Sequence, residues 1–263
     1  MKSLQYARQS ISTEDISAVE RVLLSDCITQ GPAIEEFEAR IAEFCNVEYA
    51  LAVTSGTAAL HLGALALGLK PSKKLWTSPN SFVASSNCAY YCGADVDFVD
   101  IDEADGNMSA DKLEQKLAVA EISNLLPDVV VPVRFAGQLC DMGRIEELSR
   151  KYQFRIMEDA SHALGAQYKG MPIGNSGADL TVLSFHPVKI ITTGEGGAIL
   201  TNSIELFSKL RDLRSHGISR DHKYSENFDG PWSYVQTDLG FNYRMTDLQA
   251  ALGLSQMNRV EQF

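Results

Sequence analysis

The sequence lacks the features of a membrane-spanning or nucleic-acid-binding protein. No window of 18 residues is wholly apolar, so no membrane span is predicted. Acidic residues outnumber basic ones by 34 to 23, and the formal net charge of −11 leaves no basic surplus to neutralise the phosphates of a nucleic acid or an anionic membrane. The segment 1–12 lacks the apolar core of a signal peptide, so we expect a cytoplasmic protein.

Cysteines are few, and their number and positions argue against a disulfide framework. The five are odd in number and scattered, which predicts buried thiols in a reducing compartment. Cys88 and Cys92 lie one helical turn apart, but without nearby histidines they do not indicate a metal site, and no metal is predicted. No GxGxxG follows the first predicted strand, so nothing supports a dinucleotide site.

The chain instead shows a regular alternation of predicted strands and helices. Several strands are apolar throughout, which is typical of an α/β domain with a mainly parallel central sheet and helices on both faces. The apolar runs 180–185 and 197–201 are about eleven residues apart, too few for a helical crossover, so we expect at least one reversed strand there. The predicted strands of the alternation are 49–53, 74–78, 96–101, 128–135 and 154–159, and the predicted helices are 13–25, one from Pro32, 58–67, 82–92, 109–120 and 141–152. After Thr201 come a helix at 203–215, a long ordered loop at 216–237 and a last helix from near Thr246.

Small hydroxyl residues and a glycine join the strand at 49–53 to the helix at 58–67. Thr54, Ser55, Gly56 and Thr57 offer hydroxyl donors, free backbone N–H groups and the positive end of the helix dipole, an arrangement that suits a phosphate. Such residues also act as simple N-caps, and both interpretations stay open at this point.

Lys189 follows the apolar run 180–185 and precedes a glycine-rich turn. A lysine that is held out of water has a lowered pKa and can act as an amine nucleophile. The alternative is an ordinary loop lysine, and this stretch alone does not decide between the two.

Several chemically useful residues follow predicted strands. In open α/β sheets ligands bind outside the carboxyl ends of the strands. Phe82, Asp159, His162, Ser184 and Lys189 all lie there, together with the hydroxyl-rich turn. An amine, a carboxylate, an aromatic face and a phosphate cradle are what a pyridoxal 5′-phosphate site needs, because the carboxylate keeps the ring nitrogen protonated and the lysine moves a proton. The residues therefore predict an enzyme that uses this cofactor.

Three segments resemble the sugar-nucleotide aminotransferases of the DegT/DnrJ/StrS group: EDASHALGA at 158–166, SFHPVKIITTGEGG at 184–197 and GFNYRMTDLQAALG at 240–253. The resemblance covers nearly the whole chain from Ile28 onward and implies fold type I of the aspartate aminotransferase superfamily. Segment 77–102 and the GNMS at 106–109 are most similar to the branch that makes the pseudaminic-acid precursor. Members of that branch aminate C4 of a UDP-linked 4-keto-6-deoxy-N-acetylhexosamine, with glutamate as amino donor.

The resemblance implies a role for each candidate residue. Lys189 corresponds to the Schiff-base lysine and Asp159 to the partner of the pyridine nitrogen, and these two are the catalytic candidates. Retention of the lysine favours transamination over the dehydratase chemistry of relatives in which histidine replaces it. The resemblance also implies that Phe82 stacks on the cofactor ring and that His162 lies beside its phenolic oxygen. The implied phosphate cup consists of Ser55, Gly56, Thr57 and Ser184.

Some assignments have alternatives or reach beyond one subunit. Asn242 resembles an asparagine that contacts the phosphate from the neighbouring subunit, which implies a homodimer with a shared active site. Phe82 as core filling and His162 as a satisfied histidine at a helix start remain alternatives. Further candidate substrate contacts are Tyr6, Arg134 and His216.

The resemblance also implies a division of the chain. Residues 1–25 form an N-terminal arm and helix, and residues 26–263 form the pyridoxal-phosphate-binding large domain. We expect the small C-terminal domain of the group to be missing. The predicted function is transamination of a nucleotide-linked 4-keto-6-deoxy sugar. The alternative is a non-catalytic cofactor-binding or regulatory protein, or an inactive fragment of the aminotransferase.

Overall fold

A seven-stranded sheet forms the centre of the protein. The computed structural model describes residues 7–219 and 234–263. The strands are β1 (Tyr49–Val53), β2 (Lys74–Thr77), β3 (Asp95–Phe98), β4 (Val129–Val131), β5 (Arg155–Asp159), β6 (Gln167–Tyr168), β7 (Met171–Pro172), β8 (Leu180–Ser184), β9 (Gly197–Thr201), β10 (Ile218–Ser219) and β11 (Val235–Gln236). The helices are α1 (Thr13–Leu23), α2 (Pro32–Cys45), α3 (Gly56–Ala66), α4 (Ala84–Tyr91), α5 (Ala110–Ser123), α6 (Met142–Tyr152), α7 (Ile204–Arg214) and α8 (Asp247–Met257).

The order across the sheet is β1-β9-β8-β5-β4-β2-β3. Among these strands β9 alone is antiparallel to its neighbours, β1 and β8, and the other pairs are parallel. The predicted fold class, a mainly parallel sheet, is therefore confirmed, and so is the reversed strand at 197–201. In this register Gly197 pairs with Val53 on one side and with Ser184 on the other, so the carboxyl ends of β1 and β8 meet at the start of β9.

Helices cover both faces of the sheet because successive strand residues point to opposite sides. Leu51 and Val53 of β1 pack in one cluster with α3, α4 and α7, whereas Ala50 and Ala52 pack on the opposite face with α2 and α8. Helices α5 and α6 complete that second face over β2, β4 and β5. The first turns of α5 and α6 are capped by Ser109 and Asp141, as the sequence predicts.

Several predicted boundaries are wrong, among them the end of the strand predicted at 96–101, which stops at Phe98, and two that bear on the site. The strand predicted at 128–135 ends at Val131, because Pro132 follows and has no N–H to continue the ladder. The chain then makes a 3₁₀ turn at Phe135–Gly137, in which Ala136 has a φ of 51°. The helix predicted from Phe82 begins at Ala84, which leaves Phe82 in the preceding loop.

Helix α1 is held against α8 by buried polar contacts. Asp15 is 1% exposed and accepts hydrogen bonds from Gln256 Nε2 at 2.7 Å and from Arg259 Nη2 at 2.6 Å. The same carboxylate closes a capping box with Ser12 at the start of α1. These contacts tie the helical part of the predicted N-terminal arm to the last helix, while the boundary at residue 25 stays a prediction.

The five cysteines are free thiols, four of them buried and Cys27 exposed. Within residues 7–219 and 234–263, no cluster of three or more His, Cys, Asp or Glu side chains could hold a metal ion. In that part of the chain, no helix combines the length and the apolar character needed to cross a membrane.

Candidate active site

The predicted site residues gather at one edge of the sheet. Asp159 is the last residue of β5 and Ser184 is the last residue of β8, and these two strands are parallel neighbours. The turn at Ser55 follows β1, which is parallel to β8 across β9. Parallel strands end at the same edge, so the topology brings together groups that are far apart in sequence.

The Asp159 carboxylate is almost fully buried and is held by three donors. Ser85 Oγ on α4 donates to Oδ2 at 2.6 Å. Ser161 donates to Oδ1 twice, from Oγ at 2.7 Å and from its backbone N–H at 3.1 Å. Sequence reasoning missed both serines. Ser161 could have been found as an Asp-x-Ser turn, in which the carboxylate accepts from the residue two positions later, but nothing in the local sequence marks Ser85.

Lys189 lies half-buried in the loop that leaves β8. Burial lowers the pKa of its ammonium from the usual 10.5, and the nearby Asp159 carboxylate opposes that shift in part. The loop is held by hydrogen bonds from the Thr193 N–H and the Thr192 hydroxyl to the Phe185 carbonyl, both at 3.0 Å. An amine with a lowered pKa is more often unprotonated, as a nucleophile requires.

The predicted phosphate cradle is a close approach of three backbone segments. Gly56 opens α3, and a Cβ there would lie 2.9 Å from Ser184 Cβ. A Cβ on Gly197 would lie 2.7 Å from the Ser55 carbonyl oxygen and from the Gly56 N. Glycine is therefore required at both positions if the start of α3 is to lie against the ends of β8 and β9. Ser55 also caps α3, since its Oγ accepts from the Ala58 N–H at 3.1 Å. Its hydroxyl proton stays available, so capping and anion binding are compatible.

Phe82 and His162 flank this site. Phe82 is 70% exposed, so the alternative that it fills the core is wrong. His162 lies in a turn after β5 and not at a helix start, and its Nδ1 accepts from the Ala136 N–H at 3.3 Å. Burial, and secondarily the charge of Lys189, lower the pKa of His162 from 6.5. The ring is therefore neutral near pH 7, with one nitrogen satisfied by the backbone.

The segment that carries Asn242 passes beside the same turn. The Thr54 N–H donates to the Tyr243 carbonyl at 2.9 Å, and Arg244 bridges to Val53 at the end of β1. Asn242 itself is exposed. Its predicted contact with a phosphate bound to a second subunit stays a prediction.

The expectation that Arg134 contacts substrate is wrong. Arg134 is fully buried and forms an ion pair with Glu158, which is also fully buried. Glu158, one residue before Asp159, faces the opposite side of β5 from Asp159. Arg134 pairs with Glu158 and therefore points away from the site and from solvent. Tyr6 lies outside the described residues, and a substrate contact of His216 stays a prediction.

The arrangement of these residues fits pyridoxal phosphate. The α3 amino end, with the Gly56 and Gly197 cradle, suits the phosphate, Asp159 suits a protonated ring nitrogen and Lys189 suits an aldehyde carbon. Phe82 is largely exposed and so is free to contact a ligand. The groups that would meet the cofactor are therefore positioned by the fold before it binds.

Known proteins share this chain's sequence and fold. It is 40% identical over 258 residues to a UDP-4-amino-4,6-dideoxy-N-acetyl-beta-L-altrosamine transaminase of Campylobacter jejuni, covering 98% of this chain and 65% of the relative. The chain thus spans about two thirds of the length of this curated relative. Its fold is similar to that of Helicobacter pylori PseC, described as an aminotransferase involved in the biosynthesis of pseudoaminic acid. The TM-score is 0.89 and the identity 33%, over 99% of this chain and 67% of that one.

A second similar structure bears on the cofactor. It is the PLP-form of the sugar aminotransferase Spr1654 from Streptococcus pneumoniae, with a TM-score of 0.86 and 29% identity over 98% of this chain and 67% of that one. The cofactor predicted from the sequence is thereby confirmed for this group of proteins. The sequence profile of the DegT/DnrJ/EryC1/StrS aminotransferase family matches residues 9–263. The chain belongs to that family, as its three motifs predict.

Proposed function

We propose that this chain carries the cofactor site of an aminotransferase that moves an amino group from glutamate to the 4-keto carbon of a nucleotide-linked 6-deoxy sugar. The observation that carries the proposal is the pair of Lys189 and Asp159. Lys189 has a pKa lowered by burial, and Asp159 is held by three donors at the end of the strand next to β8. An amine and a fixed carboxylate beside an anion cradle are the groups that this chemistry requires.

Each residue then has one task. Bound pyridoxal phosphate supplies an electron sink for the bond broken at the amine-bearing carbon. Ser55, Gly56, Thr57 and Ser184 hold the phosphate with N–H and hydroxyl donors. Lys189 takes the proton from the amine-bearing carbon of glutamate. It later delivers a proton to the sugar carbon that carries the amino group of the product.

Three other side chains complete the site. Asp159 holds a proton on the ring nitrogen, Phe82 covers one face of the ring, and His162 lies beside the phenolic oxygen. Because the pKa of His162 is lowered, its neutral ring can donate one hydrogen bond there without adding a charge.

The sugar assignment rests on the relatives. The printed activity of the Campylobacter jejuni relative supports a UDP-linked N-acetylhexosamine as substrate, and so does the pathway named for Helicobacter pylori PseC. We propose the same substrate class here, with residues 26–263 acting as the large, cofactor-binding domain and residues 1–25 as its N-terminal arm.

We also propose a homodimer in which each site is completed by Asn242 of the second copy. Asn242 is exposed, and two adjacent apolar side chains at the site, Phe82 and Val83, are 70% and 60% exposed. Exposed apolar pairs of this kind are suited to a subunit interface. Mixing the inactive variants Lys189→Ala and Asn242→Ala tests this, because a mixed dimer contains one intact site and regains activity. If each subunit forms its own site, the mixture stays inactive.

The test of the function itself is spectroscopic. The purified protein is titrated with pyridoxal phosphate, and we expect a long-wavelength band that Lys189→Ala abolishes and the exposed control Lys151→Ala retains. Glutamate should then bleach the band, and a UDP-linked 4-keto sugar should restore it with formation of an amino sugar. No band, or a band unchanged in Lys189→Ala, contradicts the proposal. A normal band that glutamate leaves unchanged identifies a non-catalytic cofactor-binding protein instead.

A further inference from the structure

Ser85 makes the shortest of the three hydrogen bonds to Asp159. It is fully buried in the first turn of α4, and its Oγ donates to Asp159 Oδ2 at 2.6 Å. The two residues are 74 positions apart, so the contact joins a helix to the end of β5. A hydrogen bond to a buried carboxylate is worth more than one between neutral groups.

The three hydrogen bonds limit how Asp159 can bind anything else. A carboxylate has about four acceptor positions, two on each oxygen. Ser161 takes both positions on Oδ1, and Ser85 takes one on Oδ2. The remaining acceptor position is therefore on Oδ2, the oxygen that Ser85 holds.

Ser85 also fixes the segment that carries the stacking ring. Its backbone N–H donates to the Phe82 carbonyl at 3.1 Å, so Phe82 lies one helical turn before it. One serine thus connects the carboxylate and the aromatic side chain, which come from different elements of the fold.

We propose that Ser85 is a positioning residue. It directs the free acceptor position of Asp159 Oδ2 towards the cofactor's ring nitrogen and holds Phe82 in place relative to Asp159. The inference rests on the function proposed above. The Ser85 hydroxyl touches no ligand. It raises the affinity of the site for pyridoxal phosphate by orienting Asp159.

The test compares the affinity for pyridoxal phosphate of wild type, Ser85→Ala, Asp159→Asn and the double variant, by absorbance titration. Ser85→Ala should weaken binding about tenfold or more, the effect of losing a hydrogen bond to a charged group. In the Asp159→Asn background the same serine replacement should change affinity by less than about twofold, because the two residues act as one unit. A purely structural role for Ser85 predicts equal losses in both backgrounds and overturns the proposal.

Two further variants separate the loss of this hydrogen bond from changes in local packing. Ser86→Ala is the matched control, since that hydroxyl donates within its own turn to the Val83 carbonyl at 3.0 Å, and affinity should be unchanged. Ser85→Cys retains the side-chain shape with a slightly larger atom and a much weaker donor, so it should bind as poorly as Ser85→Ala even where the alanine variant is unstable. Wild-type affinity in Ser85→Cys overturns the inference alone, whereas failure of the wild type to bind pyridoxal phosphate overturns the proposed function.

Discussion

Replacing Arg134 by methionine tests the buried ion pair behind the active-site strand. Arg134 and Glu158 are both fully buried, and Glu158 also accepts hydrogen bonds from Ser176 Oγ at 2.9 Å and Thr181 Oγ1 at 3.1 Å. These two hydroxyls hold the carboxylate in place without the arginine. Methionine matches the aliphatic part of the arginine side chain and carries no charge, so the variant removes the charge and retains the packing of that part.

The expected loss is large because the buried Glu158 carboxylate loses the positive charge that faces it. Removing one partner of a buried ion pair destabilises a protein by about 3–5 kcal/mol. Adding Glu158→Gln to the same chain removes the remaining charge and retains an oxygen for the two hydroxyls. The double variant should therefore recover much of the loss, with a coupling of about 2–3 kcal/mol between the two positions.

Urea unfolding of wild type, both single variants and the double variant measures these values. The matched control is Arg155→Met on β5, the strand that carries Glu158; its partner Asp179 lies at 3.0 Å in a pair where the arginine side chain is 52% exposed. That variant should lose less than about 1 kcal/mol. A loss below about 1 kcal/mol in Arg134→Met, or simple addition of the two single losses, refutes the reasoning. The KM for the sugar should not change in Arg134→Met. A raised KM with unchanged stability would show that Arg134 contacts the substrate.

Three other predictions use different parts of the structure. Asp247→Ala should destabilise the protein by about 1–2 kcal/mol in urea unfolding, because this buried carboxylate on α8 caps α2 with hydrogen bonds of 2.7 and 3.0 Å, and Asp247→Asn should lose less. The NMR titration midpoint of His162 should lie below 6.5 and rise in Lys189→Ala, because the nearby positive charge is removed. Because the pKa of His162 is lower in the folded than in the unfolded protein, its contribution to the free energy of unfolding falls as pH drops from 6.5 towards the folded pKa. His162→Phe should lack this contribution to the pH dependence of stability. Gly197→Ala should lose about 1–3 kcal/mol and weaken cofactor binding, because its Cβ would meet backbone atoms at 2.7 Å; wild-type affinity would contradict the cradle.

The sequence was sufficient for the elements whose signal is local. Apolar runs and caps predict the seven strands of the central sheet and its helices in order, but not the short pairs β6–β7 and β10–β11, and the short spacing between Ser184 and Gly197 predicts the reversed strand. Lys189 and Asp159 are predicted because both follow a strand, and their functional roles stay predictions. The end of β4 was missed although Pro132 marks it, because the β-branched run before it was extended past the proline.

The residues that were missed act on another side chain and not on a ligand. Ser85 meets Asp159 across 74 residues, and Asp247 caps a helix whose N-cap residue, Gly31, lies 216 residues earlier in the chain. Neither residue lies in a local sequence pattern that identifies its partner, because only the assembled fold brings together residues so far apart in sequence. Arg134 shows the converse error, because an arginine after a strand looks like a ligand contact until the alternation of side chains along β5 places its partner Glu158 on the face opposite Asp159. Candidate ligand contacts can therefore be proposed from where strands end, whereas the groups that orient them become visible only once the sheet is assembled.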